Sequence, residues 1–343
     1  MLSYRKLAMR VLGRPLHTGG NDSPRPASQR AAAFILTAAM LTTLTAPAFA
    51  KEWYIEEGDI TVRAGETEGT NKVSQGENPE VEDTNTVITN SDKDKASSNT
   101  VTIEAKDKDD KVEVTLKDVN IDTSSRSEAA VSVTGEGNTN IELDGDNALK
   151  SDIYSSGISS SGSLTISGGT VTANGGNGGN VSGDGIRSDS GDVTISGGTV
   201  KAAGGDSKDG YGGDGIRSGG VTISGGTVNA AGGNGKNSNG GSDGIISNDI
   251  DLSGSLELTA KAGRPNGKAI SWAGHELDLD TIKDKLGPGA KVTATDANGE
   301  TKQVSSPIPR PVEPEEPEPV IPEESSSSSD GGSATPVSYT HLR

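Results

Sequence analysis

The chain contains no cysteine, only two phenylalanines and three histidines, and aromatic residues fill just 3% of its 343 positions. Without cysteine, neither disulfides nor thiolate chemistry can contribute to stability, metal binding or catalysis. With 30% hydrophobic residues and so few aromatic ones, bulky apolar material is too scarce for a broad globular core. Proline is missing from residue 80 to residue 264. Over that stretch every backbone N–H is free to join a hydrogen-bond ladder, which proline cannot do.

The excess is in small residues, with 48 glycines. A narrow core remains available to such a chain if short repeats stack, because each repeat then buries a few side chains against its neighbours. The N-terminus reads as an export signal. Arg5, Lys6, Arg10, Arg14, Arg25 and Arg30 precede an apolar run over 31–46, and Ala48-Phe49-Ala50 supplies a small-x-small cleavage pattern after Pro47. Cleavage after Ala50 is expected to give a secreted or cell-surface bacterial protein with no transmembrane segment.

Six of the 31 Lys and Arg residues, but only one of the 49 Asp and Glu residues, precede residue 51. The remainder therefore carries 25 against 48, a formal charge of −23. That sign excludes nucleic acid as a partner, since backbone neutralisation needs the opposite one. Of the histidines, His17 falls in the signal and His341 in the last residues, leaving His275 alone. The chain is read as non-catalytic and as a monomer.

Internal repetition carries the fold. Leu164-Thr165-Ile166-Ser167-Gly168-Gly169-Thr170-Val171 recurs over 193–200 and 221–228 with only its first residue changed. A second phrase, Gly183-Asp184-Gly185-Ile186-Arg187-Ser188, recurs over 213–218 and, degenerated, over 242–247. Upstream, Ser156-Gly157-Ile158, Ile141-Glu142-Leu143 and Val114-Thr115-Leu116 continue the pattern; downstream, Ile250-Asp251-Leu252 and Ala269-Ile270-Ser271 do so. Within a unit, apolar residues alternate with polar ones and glycine pairs interrupt them, with no helical segment between. This is the pattern of an all-β, right-handed parallel β-helix with about 28–29 residues per rung, three short strands to a turn. Ile166, Ile195, Ile223 and Leu252 are expected to stack inside it.

Eight of the 15 prolines fall between residues 307 and 336, mixed with Glu, Val and a serine run. Such a segment is an extended, polyproline-like linker. Residues 336–343 break with that composition and resemble translated adapter sequence, so the natural chain is expected to continue. The chain thus divides into a signal over 1–50, an N-terminal cap segment over 51–80, a β-helix over 81–303 and a disordered Pro/Glu/Ser-rich linker over 304–343.

From about residue 112 to about residue 263 the arrangement resembles secreted bacterial β-helix proteins that bind carbohydrate, including a calcium-dependent group that binds polygalacturonate. The residues that carry the resemblance are the three Thr-Ile-Ser-Gly-Gly-Thr-Val phrases, the Asp-Gly-Ile phrases and Val114-Thr115-Leu116-Lys117-Asp118-Val119-Asn120-Ile121. The same phrases occur in repetitive surface adhesins. The resemblance implies a polysaccharide or a host or cell-wall glycan as partner.

Asp184, Asp214 and Asp243 fall one above another if the register holds. At about 4.8 Å apart such carboxylates repel, which favours either a shared calcium ion, bound through flexible oxygen ligands, or solvated aspartates at turns. Both alternatives are open at this level. Arg187 and Arg217 occupy equivalent positions and could meet sugar carboxylates, while Tyr211 could stack on a sugar ring. The loops 174–183, 203–213 and 231–242 vary in length beside constant strands, as a binding edge would. Two functions follow: calcium-assisted binding of an acidic polysaccharide such as pectin, or a stalk or adhesin that binds no glycan.

Overall fold

Alternation of apolar and polar residues in each repeat produces strands too short to be stable alone, and stacking makes them so. The protein's structure, a computed structural model, describes residues 51–307 apart from Asn239. The expected export signal over 1–50, and the expected linker from residue 308 on, lie outside the described residues, while residues 304 and 305, expected to open that linker, belong to the strand Thr301–Ser305. The described chain winds into a β-solenoid of about seven turns, and its three faces are columns of parallel strands.

On the first face Ile141, Ile166, Ile195, Ile223 and Leu252 are successive register partners. On the second, Val171, Val200, Val228, Leu258 and Val292 form one column and Ala173, Ala202, Ala230, Ala260 and Ala294 another. The third stacks Ile158, Ile186, Ile216, Ile245 and Ile270. All of these are buried. Each column places like on like, so a narrow core is filled without large residues, at roughly 1.5–3 kcal/mol for each buried Ile, Val or Leu.

Each corner has its own chemistry. Between the first and second faces, Gly168, Gly198, Gly226 and Gly254 adopt φ of 70° to 80°. At Gly198 an added Cβ would lie 1.5 Å from the Gly168 carbonyl oxygen, so neither the backbone conformation nor the space admits a side chain. Between the third and first faces, the buried hydroxyls of Ser188 and Ser218 donate to the carbonyls of Gly191 and Gly220 on their own rungs, at 2.9 and 2.8 Å. They also reach the rung below, at Gly162 and Gly191.

The solenoid starts earlier than the sequence suggests. Glu52–Tyr54 lies parallel on Val87, Ile88 and Thr89, and residues 60–63 lie parallel on residues 101–104. The cap segment expected over 51–80 therefore contains rung strands. An antiparallel excursion, Asn71–Gln75 with Val81–Asp83, hides them by stretching this turn so that Trp53 pairs with Ile88. At the other end Lys291–Thr295 pairs parallel with residues 257–261 and antiparallel with Thr301–Ser305, which covers the last edge. Among the described residues no helix is long and apolar enough to cross a membrane.

Ile195 is fully buried in a core only a few side chains wide. Ile195→Asp is expected to cost about 4 kcal/mol or more, against roughly 1 kcal/mol for Ile195→Val. Thermal unfolding followed by circular dichroism measures both; an Asp variant that melts with the wild type would contradict this core.

Candidate functional site

Each Asp-Gly-Ile phrase brings the chain from a loop back onto the third face, and there the aspartates form a column. Asp184, Asp214 and Asp243 are all buried, with relative exposures of 5%, 2% and 8%. The Asp214 backbone N–H donates to Asp184 Oδ1, the Asp243 N–H to Asp214 Oδ1 and the Lys268 N–H to Asp243 Oδ1, each at 2.7 Å. Meanwhile the Gly185 N–H donates to the Asp214 carbonyl and the Gly215 N–H to the Asp243 carbonyl. The side chains thus supply the acceptor that the main chain lacks where it turns inward.

The opposite oxygens meet arginine. Arg217 Nη2 pairs with Asp214 Oδ2, and its Nε lies 3.4 Å from Asp184 Oδ2, so one guanidinium spans two rungs. Arg187, its register partner, donates from Nε to Asp189 Oδ1 at 2.7 Å and places Nη1 3.9 Å from Asp184 Oδ2. Burial pushes the Asp184 carboxyl above the usual carboxylate range, opposed by Arg217. Burial also pushes Asp214 up, to about 6, where Arg217 opposes it and Asp184 reinforces it.

The aspartates are stacked as the sequence implied, but the set does not fit a calcium ion. One oxygen of each carboxylate accepts a backbone N–H, and the other oxygens of Asp184 and Asp214 face Arg217. A cation there would have to displace a guanidinium from a buried column. Among the described residues no three His, Cys, Asp or Glu side chains gather to hold a metal. Arg187 and Arg217 likewise pair within the chain, away from the role of a free cationic ladder.

The loops are not a variable fringe. Asp206 N–H donates to Asn177 Oδ1, Asn234 N–H to Asp206 Oδ1 and Arg264 N–H to Asn234 Oδ1, at 2.7, 2.6 and 2.9 Å. Main-chain bonds accompany them, from Ser207 to Asn234, Tyr211 to Asn180 and Gly212 to Gly240. Each loop is pinched at its base, Gly183 donating to Gly176, Gly213 to Gly205 and Ser242 to Gly233. The loops therefore stack as a fin along one edge of the solenoid. The sequence carried a signal for it: Asn177, Asp206 and Asn234 keep the beat of the strands beside them.

Tyr211 is half exposed on this fin and in register with the equally exposed Val181. A cleft of about 440 Å³ runs along the base, lined by Lys150, Asp152, Ile153, Asn174, Asn177 and glycine backbone. It shares Asn174 and Ala203 with a shallower depression of about 280 Å³ beside Lys201, Asn229 and Lys261.

The Asp214 carboxyl makes a sign-specific pH prediction. Between the ordinary carboxylate value near 4 and about 6, the native chain keeps a proton that the unfolded chain has lost. This contribution to stability is present below pH ~4 and is lost as pH rises through about 6, at most ~3 kcal/mol. Asp214→Asn, neutral throughout, should lack it, so wild type should lose stability relative to the variant from about pH 4 to about pH 7. Urea unfolding across that range is the measurement, and parallel curves would contradict the shift.

A protein-family model described as "Beta helix repeat" matches residues 164–186, 193–216 and 221–245, three consecutive rungs that include Asp184, Asp214 and Asp243. No curated protein and no solved structure matches the chain. The match and the register of the strands together make this a parallel β-helix repeat protein.

Proposed function

We propose that the chain is a non-catalytic, extracellular β-helix that binds glycan along the fin. The observation that carries this reading is the cleft at the fin's base. Its lining of amide, hydroxyl, ammonium and backbone groups, from Ser124 and Lys150 through Asn174 and Asn177, suits the hydroxyl groups of sugars. Because the cleft crosses successive rungs, it suits a chain of sugars better than a single small molecule. The export pattern before residue 51 supports an extracellular setting.

Catalysis has little to draw on. The repeated carboxylates hold backbone N–H groups and Arg217, and His275 lies exposed beside the edge hairpin it forms with Trp272. Calcium has no part in this reading, because backbone N–H groups and Arg217 already face the carboxylate oxygens of Asp184 and Asp214. The second reading, a stalk without glycan binding, is favoured by the covered ends and by the internal pairing of the repeated charges.

A glycan array probed with the full chain, with and without chelator, separates the possibilities. Glycan binding that persists in chelator is the expected result. Binding that requires calcium would return the ion to the mechanism, and calorimetry with calcium alone would then have to show uptake. An array without signal would favour the stalk.

A further inference from the structure

The excursion that interrupts the first rungs also walls a cavity. This space of about 290 Å³ lies between the turn at Glu68 and Gly69 and the outward side of the first face, where residues 111–117 and 138–144 run in register. Val112, Val114, Ile141 and Leu143 are buried in the core, so period-two alternation turns Glu113, Asn140 and Glu142 out toward the excursion. Asn71 pins the wall in place. It is 6% exposed, and its Nδ2 donates to Thr86 Oγ1 at 2.9 Å and to the Glu113 carbonyl at 2.7 Å.

Two features of this cavity lack a counterpart in the chain. Asn140 Oδ1 is buried, yet no donor reaches it. A buried acceptor left empty is costly and calls for a partner. Glu68, Glu113 and Glu142 line the same space against one ammonium, that of Lys111, which leaves one minus three, a formal −2. Around it Arg63, Lys72 and Lys117 pair with Glu80, Glu66 and Glu52, but these four groups form no ion pair among the described residues.

We infer that the cavity binds one ring of an amino sugar, its protonated amine donating to Asn140 Oδ1 between Glu113 and Glu142. Glu113 is the register partner of Asn140 on the adjacent strand, roughly 4.8 Å away, and Glu142 lies two residues further along the same side, roughly 6–7 Å away. An ammonium at Asn140 is therefore within reach of both carboxylates and has a donor for each acceptor. A bare metal ion suits the place less well, because among the described residues no three carboxylates gather closely enough to hold one.

The remaining lining fits a sugar. Thr84, Asn85 and Thr115 offer hydroxyl and amide groups to ring hydroxyls, and the volume admits a ring and not a chain. Asn85, Thr115 and Glu142 also line an adjoining, wider groove of about 760 Å³, where Tyr54 gives a second ring an aromatic surface. The Tyr54 hydroxyl is held by Glu52 at 3.0 Å. A chain of −23 from residue 51 attracts a cationic glycan. The cavity shares no residue with the cleft at the base of the fin, so this site stands or falls independently of that one.

The test is calorimetry of the full chain with a β-1,4-linked glucosamine trisaccharide, its fully N-acetylated counterpart and tri-lysine, in mildly acidic buffer that keeps amines protonated and glutamates ionised. The glucosamine trisaccharide should bind, more weakly as salt rises, and at least ten-fold more tightly than the other two. Glu113→Gln and Glu142→Gln should each weaken it about three-fold, and Lys111→Gln should strengthen it by a similar factor. Asn140→Leu should weaken it about ten-fold while thermal unfolding stays unchanged or rises, since the variant removes an acceptor that the chain leaves empty. Trp272→Ala, an exposed change elsewhere, should bind as wild type does. Binding that survives Asn140→Leu combined with Glu113→Gln would overturn the site, and an Asn140→Leu variant that melts earlier would remove the observation behind it. Equal binding of the N-acetylated sugar or of tri-lysine would overturn the ligand class. No binding of the glucosamine trisaccharide would end this inference and leave the fin, which the array tests, untouched.

Discussion

The hydrogen bond from one rung to the next is the constraint on which this structure depends. A parallel solenoid with short strands has corners every few residues, and at each corner the main chain leaves the ladder with donors and acceptors that still need partners. The sequence meets that need with side chains. Ser188 and Ser218 do so at one corner, the Asp184–Asp214–Asp243 column at another, and Asn177, Asp206 and Asn234 in the loops. Glycine occupies places such as Gly198, where a Cβ would strike the carbonyl of the rung below. The polar repeat residues are thus as structural as the isoleucines they flank.

This explains what the sequence could and could not reveal. Period-two alternation and phrases at constant spacing determine which side chains face inward, so the columns through Ile195 and Val200, and the weaker outer rungs at Ile141 and Ile250, were legible. The first rung was not, because the excursion over residues 71–83 breaks the spacing between Trp53 and Ile88. The aspartates were legible as a column but not as an environment. A backbone donor from the neighbouring rung leaves no trace in sequence, and neither does the reach of Arg217 across two rungs. The fin was hidden by glycine and by differences in loop length, although Asn177, Asp206 and Asn234 kept the period throughout. Tyr211 was legible only as an isolated aromatic, since its register partner one rung away is Val181.

Stacked, buried carboxylates carry an electrostatic penalty that this fold distributes. Backbone N–H donors act on one oxygen, a bridging guanidinium acts on the other, and the remaining strain appears as the raised Asp184 and Asp214 carboxyls. An internal network of this kind uses up the charges that a sequence reading would assign to a ligand. In the proposed reading, recognition falls to the fin, with its exposed Tyr211 and the polar cleft at its base, held by the same ladder that builds the core.

The central claim, that the loops and the aspartate column are ladder and not free binding groups, is tested most directly by amide hydrogen exchange. The amides of Ser207, Tyr211, Asn234 and Asp243 should exchange far more slowly than in an unstructured chain, and equally so with and without calcium. Exchange of the loop amides at the unstructured rate, or protection that appears only when calcium is added, would contradict it.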